Sequence, residues 1–167
     1  MARPVPEPVT IFKNLRDTLL SMSPARLGVF PSEALPNVWG VLMETGYFPA
    51  VVTLVSLADG TTSLCFGSGG GVIGAEKHNT VREATAAFIA SAEFHRSRLV
   101  PANSFPLPDV DRVRFYVLTF TGTLTAEAGE RELGKGTHKL CALFYAGHDV
   151  ITQIRIASDE SEQGRRN

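Results

Sequence analysis

Ala58-Asp59-Gly60-Thr61-Thr62-Ser63-Leu64-Cys65-Phe66-Gly67-Ser68-Gly69-Gly70-Gly71-Val72-Ile73-Gly74, followed from Thr80 by Thr-Val-Arg-Glu-Ala-Thr-Ala-Ala-Phe-Ile-Ala-Ser-Ala, is the stretch on which the fold turns. Asp59-Gly60 is the strongest turn signal in the chain and predicts a type I′ hairpin. It joins the β-run Ala50–Leu57 to the β-run Thr61–Phe66. A glycine loop, Gly67 to Gly74, then leads into a long helix that runs from Thr80 toward Leu99. Thr80-Val81-Arg82-Glu83 fits a capping box, in which the Thr80 hydroxyl and the Glu83 carboxylate each accept from the other's backbone N–H.

That helix carries no charge from Ala84 to Ala92. At about 100° per residue, Val81, Ala84, Phe88, Ala92 and Leu99 form one apolar face. The opposite side holds Ala86, Ala87, Ala90, Phe94 and Ser97, which are small residues around one aromatic. A helix that covers only its own core shows a charged outer face, whereas one apolar all round is buried on both sides. The outer residues Ala86, Ala87, Ala90, Phe94 and Ser97 are therefore the expected interface of a homodimer. The competing expectation is burial under another part of the same chain.

Gly69-Gly70-Gly71-Val72-Ile73-Gly74 satisfies the G-x-G-x-x-G pattern. A dinucleotide site, however, starts its helix within the glycine run, so that N-terminal N–H groups face the pyrophosphate. Here Ala75 to Asn79 intervene, and the carboxylate expected some twenty residues on, Glu93, lies inside the same helix. A Walker loop fails for want of Gly-Lys-Ser/Thr. The glycines are expected to serve the backbone, allowing positive φ and close approach where the chain passes from sheet edge to helix. A second expectation is an anion or small-molecule site, possible for an enzyme too, built from Gly69, Gly70, Gly71, Lys77, His78 and Arg82.

At 167 residues, with 44% hydrophobic and 20% charged side chains, one domain with a real core is expected. A net charge of −1 gives no electrostatic footprint for nucleic acid or an anionic membrane. The start, Met-Ala-Arg-Pro-Val-Pro-Glu-Pro, lacks the apolar core of a signal peptide, and a cytoplasmic location is the expectation. Cys65 and Cys141 make no disulfide framework and read as reduced thiols.

Outward from the deciding stretch, residues 1–8 read as a flexible tail and 9–156 as the domain. Pro8 to Ser23 reads as an amphipathic helix with Ile11, Phe12, Leu15, Leu19 and Met22 inward, and Leu20 as the exception. Val38–Glu44 suits a strand or a short helix. Val113–Thr121 is the clearest strand, turned by Gly122 into Thr123–Glu127. Lys139–Ala146 and Asp149–Ile156 read as a last hairpin around Gly147-His148, and 157–167 as a disordered tail. The expected architecture is α+β, a two-layer sandwich in which a mainly antiparallel sheet of about five to six strands packs against two helices.

The first helix, the Asp59-Gly60 hairpin, the helix from Thr80 and the closing meander together resemble the roadblock/LC7 family and its profilin-like relatives, over residues 9 to 156. The resemblance is one of element order. It implies a small dimerising module that regulates or scaffolds, with partners such as small GTPases or motor components. It implies no catalytic residue and no cofactor.

His78, His95, His138 and His148 show no i, i+4 spacing, and His138 and Cys141, on an expected strand, would point to opposite faces, so no metal site is expected. Ser63, Ser68 and Ser91 have no visible base. Two function classes remain: a non-enzymatic interaction module, and a ligand-binding domain using the glycine loop.

Overall fold

The computed structural model describes residues 2–167. Helix α1 is Thr10–Ser21. Four strands follow: β1 (Val38–Thr45), β2 (Val52–Leu57), β3 (Thr62–Phe66) and β4 (Gly71–Ile73). Helix α2 is Asn79–His95, and β5 is the short pair Val100–Pro101. Strands β6 (Arg112–Thr119) and β7 (Gly122–Gly129) then lead to α3 (Glu130–Gly134) and to α4 (Cys141–Arg166).

The strands make one antiparallel sheet in the order β4-β3-β2-β1-β6-β7-β5, with β4 and β5 at its edges. The fold is α+β, as expected, but the sheet has seven strands and carries helices on both faces. Val41, Met43, Leu54, Val113, Phe115 and Val117 point to one face and pack under α2 and α4, which supply Phe88, Ala92, Val150 and Ile154. Trp39, Leu42, Val55, Tyr116 and Leu118 point to the other, under Leu19 and Leu20 of α1 and the connector after it. The period-2 alternation of β1 shifts by one residue between Val38 and Gly40, where a bulge puts Trp39 and Gly40 on the same side.

Both hairpins of the β2–β3–β4 meander use one turn. Gly60 N–H donates to Leu57 O and Leu57 N–H to Thr61 O; Gly69 N–H donates to Phe66 O and Phe66 N–H to Gly70 O. In each, the glycine sits at a left-handed φ, +97° for Gly60 and +102° for Gly69, and Asp59 does not. The pattern is a type I turn closed by a glycine bulge, in place of the type I′ turn expected at Asp59-Gly60. The Asp59 carboxylate accepts from Thr61 N–H at 2.9 Å, which favours this turn. The glycine loop is thus a second hairpin plus an edge strand.

Other expectations are corrected. The expected final hairpin and disordered tail are one helix, α4, which runs from Cys141 to Arg166. Val150, Ile151, Thr152, Ile154 and Ile156 favour strand locally, but the buried set Leu143, Phe144, Gly147, Val150, Ile154 and Ala157 recurs at helical spacing. Gly147, read as a turn residue, is where α4 comes down on the sheet: a Cβ there would stand 2.7 Å from Met43 Sδ and 3.2 Å from Phe88 Cε1. The capping box also fails. α2 begins at Asn79 with His78 before it, Thr80 lies inside the first turn, and no side chain caps the helix. In α1 the buried residues are Phe12 and Arg16, while Ile11 is 74% exposed and Leu15 is exposed too. The helix is rolled toward Arg16, for a reason that lies in the sheet beneath it.

The N-terminal segment, expected as a tail, is packed where it is described: Arg3 O accepts from Val110 N–H at 2.7 Å, and Val5 sits against Phe12 and Val51. Met1 lies outside the described residues.

Gly70 and Gly71 separate backbone strain from crowding. A Cβ at Gly70 meets nothing within 4 Å, so Gly70→Ala pays only for its φ of +80°, about 1–2 kcal/mol. A Cβ at Gly71 would stand 2.2 Å from Leu64 O, in the backbone of β3. Urea denaturation is expected to find Gly71→Ala clearly less stable than Gly70→Ala.

Candidate functional site

Three places gather chemistry. The first is a row of polar side chains across the sheet on the α1 side. Register places Thr53, Glu44, Arg114 and Glu127 side by side on β2, β1, β6 and β7. Glu44 is 0% exposed. Arg16 reaches it from α1, donating from Nε to Oε2 and from Nη2 to Oε1, both at 2.8 Å. Thr53 Oγ1 donates to Oε2 at 2.8 Å. Arg114 and Arg112 donate to Glu127. Arg16 also lies over the Tyr116 ring, and the Tyr116 hydroxyl donates to Pro106 O at 2.6 Å. Burial first, and then the Glu44 charge, push Tyr116 up to about 12. Burial works against charge on Arg16, but the hydrogen bonds and charge of Glu44 outweigh it and hold the guanidinium protonated.

The oxygens of Glu44 are taken by the chain's own donors, so this row is a clamp between α1 and the sheet. Sequence reading missed it because Arg16 falls on the polar side of an apolar-face count. The available signal was a glutamate ending the apolar run Val-Leu-Met-Glu, with Thr53 and Arg114 each inside a neighbouring strand.

The second place surrounds β4 and holds only part of the expected ligand set. Gly71, Lys77 and His78 line a cleft of about 380 Å³ whose other wall is the C-terminal half of α4, with Ser158, Ser161, Glu162 and Arg165. Gly69 and Gly70 instead line an apolar groove of about 210 Å³ on the α1 side, with Ile11, Leu15, Phe66 and Ile73. Arg82 belongs to neither, because its Nη1 donates to Glu76 O at 2.6 Å. The residues of α4 were out of reach of sequence reading, since they follow from a helix read as a hairpin and a tail.

The third place is the outer face of α2. Ala86, Ala87, Ala90, Phe94 and Ser97 are all exposed, and Phe94 is 76% exposed. Val81, Thr85, Phe88, Ile89, Ala92 and His95 face the core. Glu93, at the side of the helix, takes Asn37 N–H (3.1 Å), Val38 N–H (2.8 Å), Asn37 Nδ2 (2.8 Å) and Arg96 Nε (3.1 Å). Burial raises its pKa, yet these donors outweigh burial and hold the carboxyl below its ordinary value.

Ser91, His95, His138 and Cys141 are engaged in local hydrogen bonds. His95 Nδ1 lies 2.7 Å from Ser91 O, so that nitrogen carries the proton and donates it to the carbonyl. It therefore has no lone pair to take a proton from Ser91 Oγ, 3.3 Å away. His138, in the turn before α4, and Cys141, the first residue of that helix, sit together and not on opposite faces of a strand: His138 N–H donates to Cys141 Sγ at 3.1 Å and His138 Nδ1 accepts from Leu140 N–H at 3.1 Å.

Compared with protein-family models, curated proteins and solved structures, the chain finds no match. Among the described residues no helix is long and apolar enough to cross a membrane.

Two predictions follow from the buried groups. Arg16→Met or Glu44→Leu alone leaves an unpaired buried charge and is expected to cost about 3–5 kcal/mol in urea denaturation, with the double variant costing less than either. Glu93 has a depressed folded pKa, so its stabilisation is present above the unfolded pKa and is lost as pH falls through the folded one. Glu93→Gln should melt below wild type at pH 7, and in a thermal series the gap should narrow as pH falls below the ordinary glutamate value of about 4.3 and close once it passes the depressed folded one.

Proposed function

We propose that the protein is a non-enzymatic interaction module that pairs with a second copy of itself through the outer face of α2. The observation that supports this reading is Phe94, 76% exposed among Ala86, Ala87 and Ala90, on a helix uncharged from Ala84 to Ala92. An aromatic standing in water beside small residues is the arrangement of a hot-spot knob next to a shallow hole. A two-fold axis at Ala90 would cross α2 over its own copy in antiparallel fashion. Phe94 of one copy then lies over Ala86 of the other. Glu83 would then fall toward the turn Arg96–Arg98 that follows α2, so opposite charges would meet at the ends of the face. A second copy thus supplies both the apolar and the charged matches.

Of the parts that carried the roadblock/LC7 resemblance, α1, the Asp59-Gly60 hairpin and α2 are present, and the second half of the closing meander is α4. The proposal therefore rests on the α2 face. Partners of the small-GTPase or motor kind are an extension of that resemblance, to be sought after self-association is measured.

Ala90→Glu would place two carboxylates at the centre of a desolvated contact. Light scattering is expected to give a dimer for wild type and a monomer for Ala90→Glu, with the same circular dichroism. Wild type that is monomeric at high concentration would overturn the proposal, and so would an Ala90→Glu variant that stays dimeric.

A further inference from the structure

Strand β4 ends the sheet, and among the described residues its outer edge pairs with nothing. The register Cys65↔Gly71, Leu64↔Val72 and Ser63↔Ile73 continues from Phe66 N–H, which donates to Gly70 O. Hydrogen-bonded and non-bonded pairs alternate along an antiparallel ladder. Leu64 and Val72 are then bonded to each other, and the N–H and C=O groups of Gly71 and Ile73 project outward from the free edge. An open edge of this kind accepts another extended chain.

The ground on either side of the edge differs. Val72 packs toward the core under α4. On that side lies the cleft lined by Lys77, His78, Ser158, Glu162 and Arg165, where two permanent cations outnumber one carboxylate. On the other side Ile73, 74% exposed, stands with Ile11 and Leu15 along the apolar groove. Ile11 and Leu15 are free for this because Arg16, not they, turns into the sheet. A strand laid beside β4 sends successive side chains to opposite faces. One alternate set would enter the cationic cleft and the other the apolar groove.

We infer that the free edge of β4 receives an extended segment of another protein whose side chains alternate between carboxylate and aliphatic. Charge complementarity decides against a second copy. A β4–β4 pairing would bring the Lys77 and Arg165 side chains of two chains together and would offer them Val72 and Ile73, with no carboxylate beyond each copy's own Glu162. It decides equally against a purely apolar segment, which would leave the cations of the cleft desolvated and unanswered.

The test uses the full chain and a fluorescein-labelled, acetylated hexapeptide alternating Glu and Val, read by fluorescence anisotropy. Saturable binding is expected, and none for the Lys/Val counterpart. Ile73→Pro removes an outward N–H that bonds to nothing among the described residues, a position where an edge strand tolerates proline. It should keep the wild-type melting temperature and weaken binding about tenfold or more. Arg165→Glu, on the exposed end of α4, should do the same through charge, and it carries the test alone if the proline disturbs the hairpin. Failure of the Glu/Val peptide to bind would overturn the inference. So would binding that survives in a folded Ile73→Pro variant, because charge attraction without strand addition would then be enough. Equal binding of the Lys/Val peptide would count against the cationic cleft in the same way.

Discussion

A carboxylate at the centre of a sheet, with no exposure to water, has to be answered by a positive partner. Glu44 is that group, and Arg16 is the answer. The demand sets the roll of α1, because the guanidinium can reach Glu44 only if the helix turns Arg16 and Phe12 inward. Ile11 and Leu15, the residues an apolar-face count would bury, are left outside. The pair also gathers the Pro-rich connector, whose Pro106 carbonyl takes both Tyr116 Oη and Arg16 Nη2. On this face directional bonds are added to the apolar packing of Trp39, Leu42 and Leu118 under Leu19 and Leu20.

The other face is held by area. Phe88, Met43, Phe115, Leu143, Val150 and Ile154 form a continuous apolar layer between the sheet and the α2–α4 pair. Such a layer needs only one side of each helix, and it is served by Val81, Phe88 and Ala92 of α2. The outer side of α2 is then left free of structural duty. That it carries alanines and one phenylalanine, and not the usual Glu and Lys, is the feature that the self-association proposal explains.

How far the sequence could be read follows the same division. Patterns set by local chemistry were legible: the strands around Asp59-Gly60, the start of α2 to within a residue, the inner face with Val81 and Phe88, and the exposed set Ala86, Ala87, Ala90 and Phe94. Patterns set by distant partners were not. Arg16 looks like a solvent-facing cation until Glu44, twenty-eight residues away, is known to be buried. Gly147 looks like a turn until Met43 and Phe88 are seen to need its missing Cβ. Misreading Gly147 split α4 into two strands, and with α4 went Ser158 and Arg165, half of the cleft beside β4. The Thr80–Glu83 spacing misled in the opposite sense, since α2 starts one residue earlier and the hydroxyl lies inside its first turn.

The central claim, that α2 meets its own copy across a two-fold at Ala90, is tested most directly by oxidative cross-linking. A cysteine at the axis, Ala90→Cys in a Cys141→Ser background, would lie close enough to its counterpart for a disulfide to form without backbone movement. Under dilute oxidant a covalent dimer is predicted for Ala90→Cys and not for Ile73→Cys in the same background. A covalent dimer formed by Ile73→Cys, with Ala90→Cys remaining monomeric, would contradict the account and move self-association to the sheet edge.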